Sequence, residues 1–474
     1  MSEYTEVEQP FLQQLQTLGW NIIDQGEGIP SDAEKSLRVN FRSLLLPEVF
    51  SRALTAINTN PDGTTWLTPR QIQELQEQIL RQPNRTLLEA NEAIQKLLFK
   101  AQVDVNESTG EQDPVVKLID FACPENNQFH AINQFRIDTP GCVKDFIIPD
   151  IVLFINGIPL IVVECKKGSA TCANPMNEAF AQLQRYMNQR PETAQHGFKE
   201  GEPKLFHSTL LLIRSCVLEA DYGTITSGLE HFYPWKTQYP QPDEIAQGMN
   251  PQQQLINGML NKNNLLSILR TASVFMDTDS GARIKVVCRY QQFRAANKII
   301  VRLRQGSTAA DRSGVIWHTQ GSGKSLTMVF VARMLRAFSD LNNYKIILIN
   351  DRLDLEEQLA KTATLIGGRV NVIDSRETLR TQLATDTSDL NMVMVHKFQQ
   401  RDCALPFRVA EALGTYQAMP SGNTFGIVNN SERIVLMIDE AHRTQGSDLG
   451  DNIFEAFPNA ARIAFTGTPL ITER

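Results

Sequence analysis

The sequence contains no long apolar run, no excess of positive charge and no cysteines spaced for metal binding. No stretch reaches the ~18 apolar residues of a membrane span, and the acidic start of the chain lacks the basic and apolar regions of a signal peptide. The seven cysteines are scattered and odd in number, which favours reduced thiols in a cytoplasmic protein over disulfides or a zinc site. The net charge of −7 excludes a nonspecific polycation, so nucleic-acid contacts would come from local basic patches.

Internal repeats and low-complexity tracts are also missing, and 474 residues are enough for two or three domains with full cores. The clearest boundary is a proline-rich segment, residues 233–243, which Asn250 and Pro251 follow as a helix N-cap and first helical residue. The sequence therefore predicts a first domain over residues 1–245, a helical connector over 246–270 and a second domain over 271–474.

The second domain contains a glycine-bearing loop, His318 to Ser325, between a short apolar run and an apolar-periodic helix. Such a loop directs backbone N–H groups at a phosphate, and the helix N-terminus adds partial positive charge. Lys324 would reach the β- and γ-phosphates of ATP, and the Ser325 hydroxyl would bind Mg²⁺. The residues predicted to bind the nucleotide here are Thr319, Gly321, Ser322, Gly323, Lys324 and Ser325.

A buried strand, residues 434–438, ends at Asp439 and Glu440, and a further strand ends near Thr466. Ligands in open α/β sheets bind beyond the carboxyl ends of the strands. Asp439 is therefore placed to hold Mg²⁺, and Glu440 to orient the attacking water. Each piece alone is also typical of an ordinary strand-to-loop junction, but the order of the three favours an ATP-hydrolysing domain.

These motifs resemble those of superfamily 2 helicases and translocases of the DEAH-box type, with Asp439 to His442 as the second motif and Thr466 to Pro469 as the third. The resemblance implies a RecA-like lobe with a parallel sheet, and Gln292 as the residue that contacts adenine. It also implies that the segments 346–352 and 391–398 face DNA, although both are equally typical of buried strands with polar ends.

The first domain contains a hairpin signal, Asn156-Gly157, between two apolar runs with charged outer ends. Strand side chains alternate, so Glu164 and Lys166 share a face. A two-residue turn would place Asp150 on the opposite face, whereas a three-residue loop with a bulge at Gly157 would place it on the same face. A metal site requires the shared face, so we expect the bulged loop.

Asp150 and Glu164 on one face could hold Mg²⁺, and Lys166 could stabilise negative charge. The alternative is a hairpin end with ordinary surface charges. The pattern resembles the PD-(D/E)xK nuclease core, and Gln182 and Tyr186, at i and i+4 on a predicted helix, match the Gln-x-x-x-Tyr motif of RecB-type nucleases. That resemblance implies a further acidic residue on an early helix, for which Glu8 is the candidate and Glu3 and Glu6 are alternatives.

A mixed-sheet nuclease domain followed by a RecA-like lobe resembles the R (restriction/motor) subunit of type I restriction-modification enzymes, an α/β protein. The resemblance implies ATP and Mg²⁺ as cofactors, translocation and cleavage of unmodified double-stranded DNA, and methyltransferase (modification) and specificity subunits as partners, with no membrane. Because the sequence stops after the third motif, we expect a fragment whose ATPase is inactive. A stand-alone defence or repair helicase-nuclease and a noncatalytic DNA- or subunit-binding module remain alternatives.

Overall fold

The chain forms two compact units, residues 1–290 and 291–474. The computed structural model describes residues 2–169, 172–319, 321–350, 370–373, 375–398, 426–439 and 448–467. Among these residues, no helix has both the length and the apolar character needed to cross a membrane. Both units are α/β, as the sequence predicts.

The first unit begins with a π-helical turn, Tyr4–Glu8, which continues directly into an α-helix. Its helices are α1 (Gln9–Thr17), α2 (Pro47–Ile57), α3 (Pro69–Leu80), α4 (Leu87–Lys100), α5 (Pro175–Tyr186), α6 (Pro191–His196), α7 (Pro251–Met259) and α8 (Lys262–Thr271). Proline opens several of them, and side-chain caps are common. Thr68, Thr86 and Asn250, for example, each form a capping box with the third helical residue.

The strands of the first unit are β1 (Asn21–Ile23), β2 (Ala101–Gln102), β3 (Val115–Val116), β4 (Phe129–Asn133), β5 (Ile137–Asp138), β6 (Phe146–Ile147), β7 (Ile151–Ile155), β8 (Ile158–Cys165), β9 (Leu211–Ser215), β10 (Ala220–Gly223), β11 (Ser273–Asp277) and β12 (Arg283–Val287). Six of them form a sheet in the order β1-β4-β7-β8-β9-β10. The sheet is mixed, because β1 with β4 and β8 with β9 are parallel while the other neighbours are antiparallel.

The β7–β8 hairpin has a two-residue turn, so the expected three-residue loop is wrong. Asn156 and Gly157 both have positive φ, 50° and 78°, and Ile155 pairs with Ile158. This is the conformation that Asn-Gly favours in a tight hairpin. The turn is also enclosed: a Cβ on Gly157 would lie 2.6 Å from the Leu46 carbonyl oxygen, and the buried Asn156 amide donates to the Leu118 carbonyl, 2.9 Å away.

A bulge further along the hairpin restores the face that a metal site requires. The register shifts between Leu153 and Phe154, so that Leu153 pairs with Ile161 and Ile151 pairs with Val163. Because β8 has one extra residue here, the side chains of β8 beyond the bulge lie on the opposite face from the one that the turn alone would give them. Asp150 and Glu164, one position past the last pair, therefore face each other on the same side of the sheet.

The core of this unit lies between the sheet and helices on one of its faces. Val152, Phe154, Val162 and Leu212 of the central strands pack with buried residues of other elements, among them Leu183, Tyr186, Phe206, Leu46 and Val49. The central strands β7 and β8 are buried along their whole length. The charged residues at the strand ends are therefore positioned by a rigid element.

The second unit is built on a parallel sheet, as the sequence predicts. Its helices are α9 (Tyr290–Gln305), α10 (Lys324–Ala337), α11 (Arg376–Leu383) and α12 (Asp448–Ala456), and its strands are β13 (Gly314–Trp317), β14 (Lys345–Asn350), β15 (Val370–Ile373), β16 (Leu390–Met394), β17 (Ile434–Ile438) and β18 (Ala461–Thr466). The strand order is β13-β18-β17-β14-β16-β15, and every pair is parallel. All the carboxyl ends therefore meet at one edge.

The predicted connector, residues 246–270, is helical and packs within the first unit. Gln252 of α7 is buried, and its side-chain amide donates to the Val7 carbonyl oxygen at 3.2 Å and to the Ser215 hydroxyl at 3.0 Å. The hairpin β11–β12 belongs to the same unit, which extends to Tyr290. The compact units thus divide at a later residue than the proline-rich segment indicates.

Candidate functional site

Lys166 is the centre of a charged cluster at the end of the β7–β8 hairpin. Its ammonium group donates to Glu164 Oε1 at 2.8 Å, to Asp150 Oδ2 at 3.3 Å and to Glu3 Oε1 at 3.3 Å. The carbonyl oxygen of Cys165 is a fourth acceptor, at 2.6 Å, so the three N–H groups of the ammonium are shared among four oxygens. The structure therefore brings together the three residues, Asp150, Glu164 and Lys166, that the sequence predicts to share a face.

Both hairpin carboxylates are buried beside this ammonium. Asp150 Oδ2 also accepts a hydrogen bond from the backbone N–H of Cys165 at 2.7 Å. Glu164 is 1% exposed, and its second oxygen, Oε2, has no hydrogen-bond partner. Burial raises the pKa of Asp150, and burial together with the Asp150 charge raises the pKa of Glu164 well above its usual range.

Glu8, in the π-helical turn, adds a third buried carboxylate. Burial and the charge of Asp150 raise its pKa to about 8, and the Gln134 amide donates to both of its oxygens, at 3.1 and 3.0 Å. One oxygen each of Glu3, Glu8 and Asp150 lie within 4.8 Å of one another. Of the three acidic residues that the sequence leaves open, Glu8 and Glu3 join the cluster, whereas Glu6 accepts from Lys167 Nζ at 2.6 Å.

The chemistry of this donor set fits a divalent metal ion. A buried carboxylate oxygen without a partner costs free energy unless a cation or proton satisfies it, and Glu164 Oε2 is such an atom. Hard cations such as Mg²⁺ take oxygen ligands from converging carboxylates. Among the described residues, Glu3, Glu8 and Asp150 converge on one point and could hold such an ion. Glu164 is next to them, since Lys166 bonds both Glu164 and Asp150, and is a fourth candidate ligand.

Gln182 and Tyr186 lie on α5, one turn apart. Gln182 Nε2 donates to the Tyr186 hydroxyl at 3.1 Å, and that hydroxyl donates to the carbonyl oxygen of Ile148 at 2.8 Å. Ile148 is two residues before Asp150. The pair therefore contacts the backbone that leads into Asp150.

Gln134 is a residue of this site that the sequence reasoning missed. It directly follows the buried strand β4, which pairs with β7, and Asp150 directly precedes β7. This position at the end of a buried strand is the only sequence signal that could have indicated Gln134. Its amide contacts Glu8, 126 residues earlier in the chain.

The second unit contains, between β13 and α10, the loop that the sequence predicts to bind phosphate, called the phosphate loop below. Gly321 and Gly323 have positive φ, 77° and 83°, and the Ser322 hydroxyl donates to the Thr319 carbonyl oxygen at 2.7 Å. Helix α10 starts at Lys324, with Ser325 in its first turn. The loop therefore ends at a helix N-terminus, the arrangement that binds phosphate groups.

Gln292 lies against this loop. The residue is buried, and its side-chain amide donates to the carbonyl oxygens of Ser322 and Gly323 at 3.3 and 3.1 Å. A Cβ on Gly323 would lie 2.5 Å from the Gln292 nitrogen, so this approach requires glycine. Gln292 is thus placed to support the loop, whereas the resemblance implies a contact with adenine.

Asp439 follows β17 at the same sheet edge as the phosphate loop. It is buried, and its backbone N–H donates to the Ile349 carbonyl oxygen at 2.9 Å. Only β18 separates β17 from β13, the strand that leads into the loop. Glu440, the rest of the second motif to His442, the segment 351–352, and Thr468 and Pro469 lie outside the described residues.

The family comparisons match both units. A model of the type I restriction enzyme R protein N terminus matches residues 1–241, and a model of the SWI2/SNF2 ATPase matches residues 291–474. The second match agrees with the parallel sheet and the phosphate loop. The first covers the hairpin cluster and Glu8.

Individual relatives extend over the whole chain. The type I restriction enzyme HindI endonuclease subunit of Haemophilus influenzae is 29% identical over 494 residues, which cover 100% of this chain and 43% of that protein. The type I restriction enzyme SauMSSORF170P endonuclease subunit of Staphylococcus aureus is 25% identical over 477 residues, again 100% of this chain and 43% of that protein. The chain thus spans less than half the length of these relatives.

Among solved structures, the Sulfolobus solfataricus SWI2/SNF2 ATPase core in complex with dsDNA matches with 15% identity and a TM-score of 0.26, covering 38% of this chain and 31% of that chain. The match over residues 1–241 covers just over half of the chain, and the chain therefore belongs to the family of type I restriction enzyme R proteins.

Proposed function

We propose that this chain supplies the nuclease site and the ATP-binding lobe of a type I restriction enzyme, which cleaves unmodified foreign double-stranded DNA and translocates it with ATP. The observation that carries the nuclease part is the cluster at the hairpin end: two buried carboxylates, Asp150 and Glu164, share one ammonium group, and Glu164 Oε2 has no partner. Burying such a cluster lowers the stability of the folded chain. A role in binding a metal and a phosphodiester would account for its presence.

In the proposed cleavage, Asp150 and Glu164 hold Mg²⁺, with Glu8 as a further carboxylate. A bound Mg²⁺ lowers the pKa of a water and neutralises charge on the phosphoryl group. The oxygen of a water molecule forms a bond to phosphorus, the bond from phosphorus to one ester oxygen breaks, and that oxygen takes up a proton. Lys166 stabilises the negative charge that develops on the phosphoryl oxygens.

The protonation of Lys166 supports this role. Burial alone lowers the pKa of its ammonium, but the charges of Glu164 and Asp150 outweigh burial and raise it. The side chain therefore remains a cation at neutral pH. Gln182 and Tyr186 act indirectly, because their hydrogen bonds hold the backbone before Asp150 in place.

In the proposed ATP site, the loop residues Thr319, Gly321, Ser322 and Gly323 present backbone N–H groups to the phosphates. Lys324 neutralises the β- and γ-phosphates, and Ser325 and Asp439 hold Mg²⁺. Glu440 orients the attacking water, and Gln292 supports the loop from α9. The loop geometry and the match to the SWI2/SNF2 ATPase support this part.

The proposed partners are double-stranded DNA and the methyltransferase (modification) and specificity subunits of a type I complex, in the cytoplasm. Both relatives are named as subunits of a type I restriction enzyme, which supports a multi-subunit complex over a stand-alone helicase-nuclease. Co-purification of the chain with those subunits tests this choice. Failure to associate with either would favour the stand-alone enzyme.

The nuclease test uses Lys166→Ala and Asp150→Ala in the complex reconstituted with its modification and specificity subunits. We expect DNA cleavage to fall on the order of 10²-fold or more, while ATP hydrolysis stays at the level of the wild-type complex. Lys199→Ala, which removes an exposed lysine of the same unit, is the matched control and should cut at the wild-type rate. Wild-type cleavage by Lys166→Ala would contradict the assignment and favour a noncatalytic binding module.

A further inference from the structure

The backbone of Gln134 adopts a conformation that glutamine rarely takes. Its φ is +46°, in the left-handed region, which costs an L-residue about 1–2 kcal/mol. The residue directly follows β4, at the edge of the sheet where Asp150 precedes β7. Unfavourable backbone conformations of this kind persist where surrounding contacts impose them, and they concentrate at functional sites.

Two sets of hydrogen bonds impose this conformation. The backbone N–H of Gln134 donates to the carbonyl oxygen of Asp150 at 2.7 Å. On the other side, the Gln25 amide donates to the carbonyl oxygens of Asn133 and Gln134 at 2.6 and 3.1 Å, and the Asn133 side-chain oxygen accepts from the Gln25 backbone at 2.7 Å. The main chain at Gln134 is thus tied both to Asp150 and to the segment after β1.

This backbone directs the Gln134 side chain at Glu8. The amide nitrogen lies 3.1 and 3.0 Å from the two oxygens of that carboxylate, and Glu8 is only 2% exposed. Glu8 belongs to the amino-terminal π-helical turn, so nothing in the local sequence aligns it with the hairpin. Gln134 connects the two directly, through its backbone to Asp150 and through its side chain to Glu8.

We propose that Gln134 is a positioning residue of the nuclease site: it holds the Glu8 carboxylate beside Asp150, so that both bind one divalent cation. The inference rests on the proposed nuclease function. Hydrogen-bonding partners of metal ligands fix the ligand orientation, and their loss typically weakens metal binding 10- to 100-fold. Gln134 itself touches neither metal nor DNA in this role.

The experiment measures Mn²⁺ binding by calorimetry on the full 474-residue chain without DNA. Gln134→Met keeps the side-chain length but removes the donor, and we expect about 10-fold weaker binding. Gln134→Asn tolerates the left-handed backbone but is one methylene too short to reach Glu8, and it should show a similar loss. Gln128→Met, at the other end of β4, is the matched control and should bind Mn²⁺ as the wild type does.

A double-mutant cycle separates positioning from general destabilisation. If Gln134 acts through Glu8, Glu8→Gln should weaken Mn²⁺ binding, and adding Gln134→Met to it should weaken binding little further, because the two residues act as one unit. Full additivity of the two losses, or wild-type affinity in Gln134→Met, would overturn the proposal. Should Gln134→Met fail to fold, Gln134→Asn decides the outcome by the same criteria.

Mn²⁺ affinity and DNA cleavage, measured together, distinguish the loss of the positioning role from the loss of the nuclease function. If Mn²⁺ binding depends on Gln134 and Glu8 but the chain never cuts DNA, the positioning role stands and the nuclease function is overturned. Suppose instead that the chain cuts DNA in a Lys166-dependent manner, and that Gln134→Met changes neither the Mn²⁺ affinity nor the Mg²⁺ concentration for half-maximal cleavage. The nuclease function would then stand and the positioning role would be overturned. Absence of Mn²⁺ binding in the wild type would overturn both.

Discussion

Glu164 occupies a position that is unfavourable for a carboxylate in the folded chain. Burial and the neighbouring charge of Asp150 both raise its pKa, and one of its oxygens has no partner. Lys166 compensates only in part, since the same ammonium also serves Asp150 and Glu3. If Glu164 is kept for metal binding at the expense of stability, removal of its charge should make the folded chain more stable.

The change Glu164→Gln tests this trade-off. We expect the melting temperature at pH 7 to rise by roughly 2–4 °C, equivalent to about 1 kcal/mol, because the cost of burying the charge and its repulsion by Asp150 are both removed. Mn²⁺ binding and DNA cleavage should be lost. Glu48→Gln, an exposed glutamate on α2, is the control, and a lower melting temperature for Glu164→Gln than for this control would contradict the trade-off.

At the scale of single residues, the sequence predicts the site residues that lie close together along the chain. Asp150, Glu164 and Lys166 flank one hairpin, and strand alternation limits their arrangement to two choices of face. Glu8 and Gln134 depend on the docking of a terminal segment against a strand end 126 residues away. No local periodicity encodes such a contact, so Glu8 remained one of three candidates and Gln134 was not predicted.

The hairpin β11–β12 shows how a single element can carry a buried charge. Lys285 of β12 is 4% exposed, and its ammonium donates to the Asn91 side-chain oxygen and the Thr209 carbonyl oxygen, both at 2.8 Å. Both acceptors are neutral. Burial therefore lowers the pKa of Lys285 to about 7.

This shift makes the stability of the first unit depend on pH. Between about pH 7 and the usual lysine value of 10.5, the unfolded chain binds a proton that the folded chain does not, so the free energy of unfolding rises with pH. Below pH 7 both states are protonated and this dependence disappears. Relative to Lys285→Met, the wild type should gain up to about 1.4 kcal/mol per pH unit in that range.

Urea unfolding followed by tryptophan fluorescence at pH 6, 7, 8 and 9 measures the difference. Lys100→Met, at the exposed end of α4, controls for the loss of a lysine. A difference between wild type and Lys285→Met that stays constant from pH 7 to 9 would show that Lys285 is protonated throughout.

Helix α9 and the phosphate loop form a second pair of coupled elements. If Gln292 supports the loop through its bonds to Ser322 and Gly323, Gln292→Ala should weaken binding of ATP and GTP by the same factor, about 5- to 10-fold for the hydrogen bonds lost. If it contacts adenine, only ATP should be affected. Fluorescence titration with both nucleotides distinguishes the two, with Gln305→Ala at the other end of α9 as the control.

The elements themselves were well predicted, but their register was not. Apolar runs and the Asn-Gly pair identify β7 and β8, and Gly157 has the positive φ that a tight turn requires. The bulge, however, lies three residues further on, opposite Leu153 and Phe154. The packing of β7 between β4 and β8 decides where an extra residue is accommodated, and sequence alternation does not record it.

At the scale of the whole molecule, the first unit is larger than its proline-rich segment suggests. Composition marks an irregular stretch but does not show that α7 and α8 pack back onto the preceding residues. Trp20 Nε1 donates to the Leu260 carbonyl at 3.3 Å, and Gln252 contacts both Val7 and Ser215. The Glu8 segment is therefore anchored by residues beyond position 245.

Two fragments test this division. Residues 1–290 should fold alone and bind Mn²⁺ as the full chain does, because the cluster and its supporting contacts are complete. Residues 1–245 lack α7 and α8 and should melt at least roughly 5 °C lower, with weaker Mn²⁺ binding. Equal melting temperatures and affinities for the two fragments would place the functional boundary at 245.

The contact between α7 and the amino-terminal turn also orders events during synthesis. Asp150, Glu164 and Lys166 leave the ribosome long before Gln252, whose amide binds the carbonyl oxygen of Val7 next to Glu8. A growing chain thus carries the hairpin for many residues before its first turn has the partner that secures it. Translation itself therefore postpones completion of the charged cluster, the proposed nuclease site, until α7 has emerged.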